Sequence, residues 1–145
     1  MRWSDCAIQD LKSYIGLKAS IENIKERIRS LEMRQISIKG SKTSSVPVYG
    51  GGSKWEDSMV DNIVERERLG MLLEADLVLL DIIERGLKAL DATERLILKT
   101  FFIDRTENHI EKIANELKIE KSQVYRLKTQ ALQKFTTHMY GIEQY

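Results

Sequence analysis

Apolar residues near the start of the chain recur by threes and fours: Tyr14, Leu17, Ile21, Ile24, Ile28 and Leu31. That spacing returns a side chain to the same side of an α-helix every turn, and it is incompatible with the period-two alternation of a strand. Charged residues fill the intervals, among them Lys18, Glu22, Lys25, Glu26, Arg27 and Arg29, so the opposite face is wet. One long helix from about Ser4 to Ile38 is predicted, with Ser4 and Asp5 able to accept the free amides of its first turn. Only one proline, Pro47, interrupts the 145 residues, which leaves room for long unbroken helices elsewhere.

From Lys39 to Lys54 the chain concentrates Gly, Ser and Thr around Pro47, a composition that marks a linker. A second long helix is predicted from about Trp55 to Leu90, with Trp55, Met59, Ile63, Leu73, Leu77, Leu80, Leu87 and Leu90 near one stripe. Arg66, Glu67 and Gly70 dilute the middle of this stripe, and Gly70 is a place for a bend. The simplest use of two such stripes is to bury each other in an antiparallel, coiled-coil-like hairpin within residues 1–90; a homodimerisation seam is the alternative.

Beyond residue 90 the pattern changes. Asp91 followed by Glu94 has the form of a reciprocal cap, and the helix it opens carries Leu96, Ile97, Leu98, Phe101 and Phe102 before ending near Asp104. Asn108 and Glu111 repeat the cap spacing and open a short helix with Ile110, Ile113, Ala114 and Leu117 inward. A longer helix is predicted from about Lys121 to Tyr140, with Val124, Leu127, Ala131 and Phe135 on one stripe and Gly141 as its stop. A short helix joined by three or four residues to a longer basic one is the pattern of a helix-turn-helix, so residues 91–145 read as a DNA-binding unit and the whole chain as all-α.

Charge supports that division. Residues 1–52 carry a net +4, residues 53–104 a net −5 and residues 105–145 a net +2. Between residues 118 and 140, Lys118, Lys121, Arg126, Lys128 and Lys134 face one acid, Glu120. The side of the last helix away from its apolar stripe shows Lys121, Ser122, Tyr125, Arg126 and Thr129. With Lys128 these are the candidate DNA-binding residues: cations for phosphates and guanine edges, hydroxyls for phosphates, an aromatic ring for a thymine methyl or a sugar.

Ala92-Thr93-Glu94-Arg95-Leu96-Ile97-Leu98, Ile110-Glu111-Lys112-Ile113-Ala114-Asn115-Glu116-Leu117, Lys121-Ser122-Gln123-Val124-Tyr125-Arg126-Leu127 and Ala131-Leu132-Gln133-Lys134-Phe135 together resemble region four of bacterial sigma factors. The resemblance covers about residues 90–137. It implies a helix-turn-helix that reads the upstream promoter element, with Lys121, Ser122, Tyr125 and Arg126 at base-facing and phosphate-facing positions. Two positions depart from the family's pattern: Lys118 stands where glycine is usual and Glu120 where a Ser or Thr cap is usual. A left-handed backbone at Lys118 would cost about 1 kcal/mol. The full layout is similar to phage late-gene transcriptional regulators of the ArpU and RinA type. That implies double-stranded DNA and host RNA polymerase or its sigma factor as partners.

Other classes fit less well. No run of apolar residues approaches a membrane span, and the charged start lacks the form of a secretory signal, so a cytoplasmic location in a bacterial host is expected. Cys6 is the single cysteine and, with His109 and His138, gives no metal-ligand spacing; both histidines are expected at the surface. No phosphate loop or nucleophile motif is visible, so neither an enzyme nor a cofactor is expected. A small terminase-like packaging component and a protein-only module, an antirepressor or sigma-binding factor, are the rival readings. The first 90 residues lack the aromatic and basic region that melts a promoter, which points to a regulator rather than a complete sigma factor.

Overall fold

The computed structural model describes residues 2–42 and 51–142, with backbone alone for residues 41, 42 and 51–53. Among the described residues the chain is all-α. Helix α1 spans Trp3–Lys42, α2 Gly51–Lys88, α3 Ala92–Leu98, α4 His109–Leu117 and α5 Lys121–Tyr140. Both long helices enter the expected linker: 39–42 continues α1 and 51–54 begins α2, because an established helix adds residues cheaply until a proline or a lost partner stops it. The rest of that linker, including Pro47, lies outside the described residues. Helix α2 continues without interruption through Gly70. No helix among the described residues is long and apolar enough to cross a membrane.

The chain divides into two compact units. One comprises Met1–Lys18 with Leu79–Tyr145, the other Ala19–Val78. In the first, the starts and ends of the long helices share a core with the C-terminal helices. Ala7 and Leu11 from α1, Ile83 and Leu87 from α2, Leu90, Leu98, and Ala131 and Phe135 from α5 form one buried cluster. Glycine at position 86 makes this packing feasible: a Cβ there would lie 2.8 Å from Phe135 Cε2. A full side chain would therefore hold α2 away from α5.

Polar bonds hold the same junction. Arg95 donates to the carbonyls of Leu87 and Leu90 at 3.1 and 2.9 Å, where the chain leaves α2. The Tyr140 hydroxyl donates to Asp10, and the Tyr140 ring lies 5.1 Å from that of Trp3. Burial first, and then the Asp10 bond, push the Tyr140 hydroxyl above its ordinary value. Tyr14 donates to Glu84 at 3.0 Å and shifts in the same direction, again mainly through burial.

The second unit is leaner. Ile21 and Leu69 are buried, and Asn62 is buried with both ends of its amide used. Its nitrogen donates to Leu31 O at 2.8 Å and its oxygen accepts from Arg66 Nε at 2.8 Å. Trp55 donates to Ile38 O at 2.9 Å, so contacts within this unit step forward along α1 while stepping back along α2. Ile63 and Leu77, expected on the buried stripe, are exposed, as are Val60, Val64, Met71 and Val78.

Candidate nucleic-acid interface

The site is built on three consecutive helices and the turns between them. Asp91 accepts the Glu94 amide at 2.8 Å while the Glu94 carboxylate accepts the Asp91 amide at 3.1 Å, the reciprocal cap that the sequence predicts. Accepting that amide is the main reason the Asp91 carboxyl is held below its usual range. Glu94 is almost fully buried and also receives the Lys134 ammonium at 2.9 Å, which raises Lys134 above its ordinary value through that hydrogen bond. One cation of the basic patch is thereby committed to α3.

After Leu98 the helix widens. Lys99–Ile103 form a π-helical turn, closed by the Asp104 amide on Lys99 O at 2.7 Å. The Thr100 hydroxyl takes the Leu96 carbonyl at 2.8 Å, competing for an acceptor of the regular ladder. The extra residue in this turn is absorbed where Phe101 and Phe102 are needed side by side: Phe101 belongs to a second core with Ile97, Ile113 and Val124, and Phe102 packs against both cores.

Helix α4 starts differently from expectation. Asn108 has φ 56° and makes no side-chain cap bond; the left-handed residue turns the chain instead, at a position where asparagine is better tolerated than most. His109 is consequently buried rather than at the surface, its ring edge-on to Phe101 at 4.9 Å, and its Nε2 has no hydrogen-bond partner among the described residues. At the other end Lys118 has φ 57°, the conformation that glycine normally supplies. The Ile119 amide bonds Ala114 O at 3.0 Å across it, and Ile119 packs into the second core. Glu120 enters α5 in extended conformation without a side-chain cap bond.

These turns orient α5. Val124, Ala131 and Phe135 are buried and Leu127 is half-buried against the second core, while Lys121, Ser122, Tyr125, Arg126 and Thr129 are exposed. Gly141, at φ 67°, ends the helix as its sequence predicts. Five of the six candidate residues therefore share the exposed side of one helix. Lys128, the sixth, is half-buried, its ammonium 5.4 Å from the Phe101 ring centre and 5.9 Å from that of Tyr125. Lys121 meets Glu111 of α4 at 3.1 Å with both side chains more than half exposed, a pairing weak enough to exchange for a phosphate. Arg126 forms no ion pair among the described residues. A shallow concavity beside the turn is lined by Ala114, Asn115, Lys118, Ile119, Glu120 and Gln123.

Sequence reasoning passed over Phe101 and His109 as parts of this site. The signal was present in the aromatic pair Phe101-Phe102, but the π-turn and left-handed Asn108 that bring His109 beneath Phe101 have no sequence signature of their own. Among the described residues no cluster of His, Cys, Asp and Glu could hold a metal ion. Comparison of the chain with protein families, curated proteins and solved structures finds no match.

Proposed function

We propose that the chain is a sequence-specific, double-stranded DNA-binding transcription regulator that lays the first turns of α5 in the major groove. The observation that carries this reading is the division of α5 between an apolar side held on the core and an exposed side bearing Lys121, Ser122, Tyr125, Arg126 and Thr129. A B-DNA major groove is about 12 Å wide, enough for a helix but not for the helix and its supports, so a recognition helix must have its reading side free. In this reading Arg126 reaches a guanine edge or phosphate, Lys121 and the hydroxyls of Ser122 and Thr129 reach phosphates, and the Tyr125 ring meets a base. The resemblance to sigma region four and to phage late-gene regulators makes the reading an activator of a phage or prophage late operon. Its protein partner is then host RNA polymerase or its sigma factor, in the bacterial cytoplasm.

Selection of sites from random duplexes followed by footprinting tests this directly. Specific protection is expected, with a two-fold symmetric site if a homodimer binds. Arg126→Ala is expected to weaken binding about tenfold or more, the cost of losing one good base or phosphate contact. Failure to enrich any sequence over random DNA would refute the proposal.

A second reading, a protein-only interaction module, draws support from the exposed apolar residues Val60, Val64, Met71 and Val78 of α2. Retention of polymerase by the chain in the complete absence of DNA, combined with no duplex binding, would favour it.

A further inference from the structure

Resting on that reading of α5, we propose that Lys128 is a positioning residue: its ammonium holds the Tyr125 ring and so sets which base pair the ring accepts, rather than neutralising a phosphate. Helical geometry separates Lys128 from the other candidates. Four residues beyond the buried Val124, it points about 40° from the core direction, whereas Ser122 and Thr129 point about 140–160° away. Its side chain is half-buried, and its ammonium stands within cation–π range of two rings at once, 5.4 Å from Phe101 and 5.9 Å from Tyr125.

The rings form a chain of contacts from core to surface. Phe101 is 8% exposed and meets the edge-on His109 ring at 4.9 Å and 89°. It also meets Tyr125, at 6.2 Å and 67°. Tyr125 is 47% exposed, and its hydroxyl makes no hydrogen bond among the described residues. Its orientation therefore depends on the Phe101 edge contact and the Lys128 charge. Thr129 bonds only the Tyr125 backbone carbonyl, at 3.1 Å, and does not restrain the ring. A lysine that reached for phosphate would abandon both ring faces and expose its stem, so the same ammonium cannot serve both purposes.

Phosphate contact and ring positioning leave different signatures. Each lost phosphate contact lowers the slope of log K against log salt by about one, uniformly across sequences. Lost positioning leaves the slope and flattens preference at one base step. The test uses a duplex recovered by selection and its single-base-pair variants, with affinity measured across a salt series. Tyr125→Ala identifies the base step that the ring reads. Lys128→Met is expected to reduce preference at that same step by about two- to fivefold with an unchanged slope, and Lys128→Arg, which keeps a cation over the rings, to restore it. In free protein and complex alike, the Lys128 ε-methylene protons should show an upfield ring-current shift.

A slope lowered by about one in Lys128→Met, an unchanged preference at the Tyr125 step, no rescue by arginine, or loss of the ring-current shift on binding would each overturn the inference while leaving the DNA-binding reading intact. Absence of specific duplex binding by the wild type would overturn both.

Discussion

The two compact units of this chain use the same material, long amphipathic helices, to opposite effect. In the unit of Met1–Lys18 with Leu79–Tyr145, helix ends converge from several directions, and Leu11, Ile83, Leu98 and Phe135 lose essentially all their exposure. In the unit of Ala19–Val78 two helices offer each other one stripe apiece, and Val60, Val64, Met71 and Val78 stay outside. Two helices alone can cover only one side of each, so burial needs a third direction of approach. The C-terminal helices supply it in the first unit. Burial is concentrated there, beneath the exposed side of α5.

The sharpest way to break this contrast is to truncate one side chain in each unit. Phe135→Ala should cost about 3–5 kcal/mol, since it empties the centre of the first core. Met71→Ala, at a residue 73% exposed, should stay within about 0.5 kcal/mol in denaturant unfolding. Comparable losses from the two would mean that the outward side of α2 is covered in solution.

Gly86→Ala refines the contrast, because it adds rather than removes volume at the same core. With Phe135 Cε2 only 2.8 Å from the new Cβ, overpacking of about 1–3 kcal/mol should exceed the gain of about 1 kcal/mol in helix propensity. A more stable variant would show that α5 can shift freely against α2.

Tyr140→Phe tests the polar side of the junction and should cost about 1 kcal/mol at neutral pH. The raised hydroxyl value fixes the sign of its pH dependence: the contribution is complete below the unfolded value of 10.0 and is lost as pH rises through the folded one. Urea melts from pH 8 to pH 11 should therefore show an alkaline loss in the wild type that is shallower in Tyr140→Phe. Equal slopes would indicate that the Asp10 bond does not persist in solution.

Lys118→Gly should act with the opposite sign. Relief of the left-handed strain at φ 57° should stabilise the protein by about 0.5–1 kcal/mol. A loss instead would mean that the lysine side chain contributes to the turn.

What the sequence made legible follows from how local each signal is. The all-α class, the Asp91–Glu94 reciprocal cap, the left-handed Lys118, the Gly141 stop and the inward stripe of Val124, Leu127, Ala131 and Phe135 all rest on residues within a few turns of one another. The exposed side of α5 followed from the same periodicity. Less was legible where distant segments decide. Ala7 and Leu11 lie in one core with Phe135, and Gly86 is required by a ring far along the chain. Ile63 and Leu77 fit a helical stripe by spacing, yet the unit offers no second surface to cover them. In the site itself, a π-turn and a left-handed asparagine precede the edge-on contact of His109 with Phe101, and the Lys128 ammonium lies over the same Phe101 ring.

The central claim is that α5 reads duplex DNA with its exposed side. Amide chemical-shift mapping of the whole chain, titrated with a selected duplex, tests it most directly. The account predicts the largest changes across Lys121–Thr129, with Ser122, Tyr125 and Arg126 among them. Changes confined to Ala19–Val78, with α5 unperturbed, would contradict it.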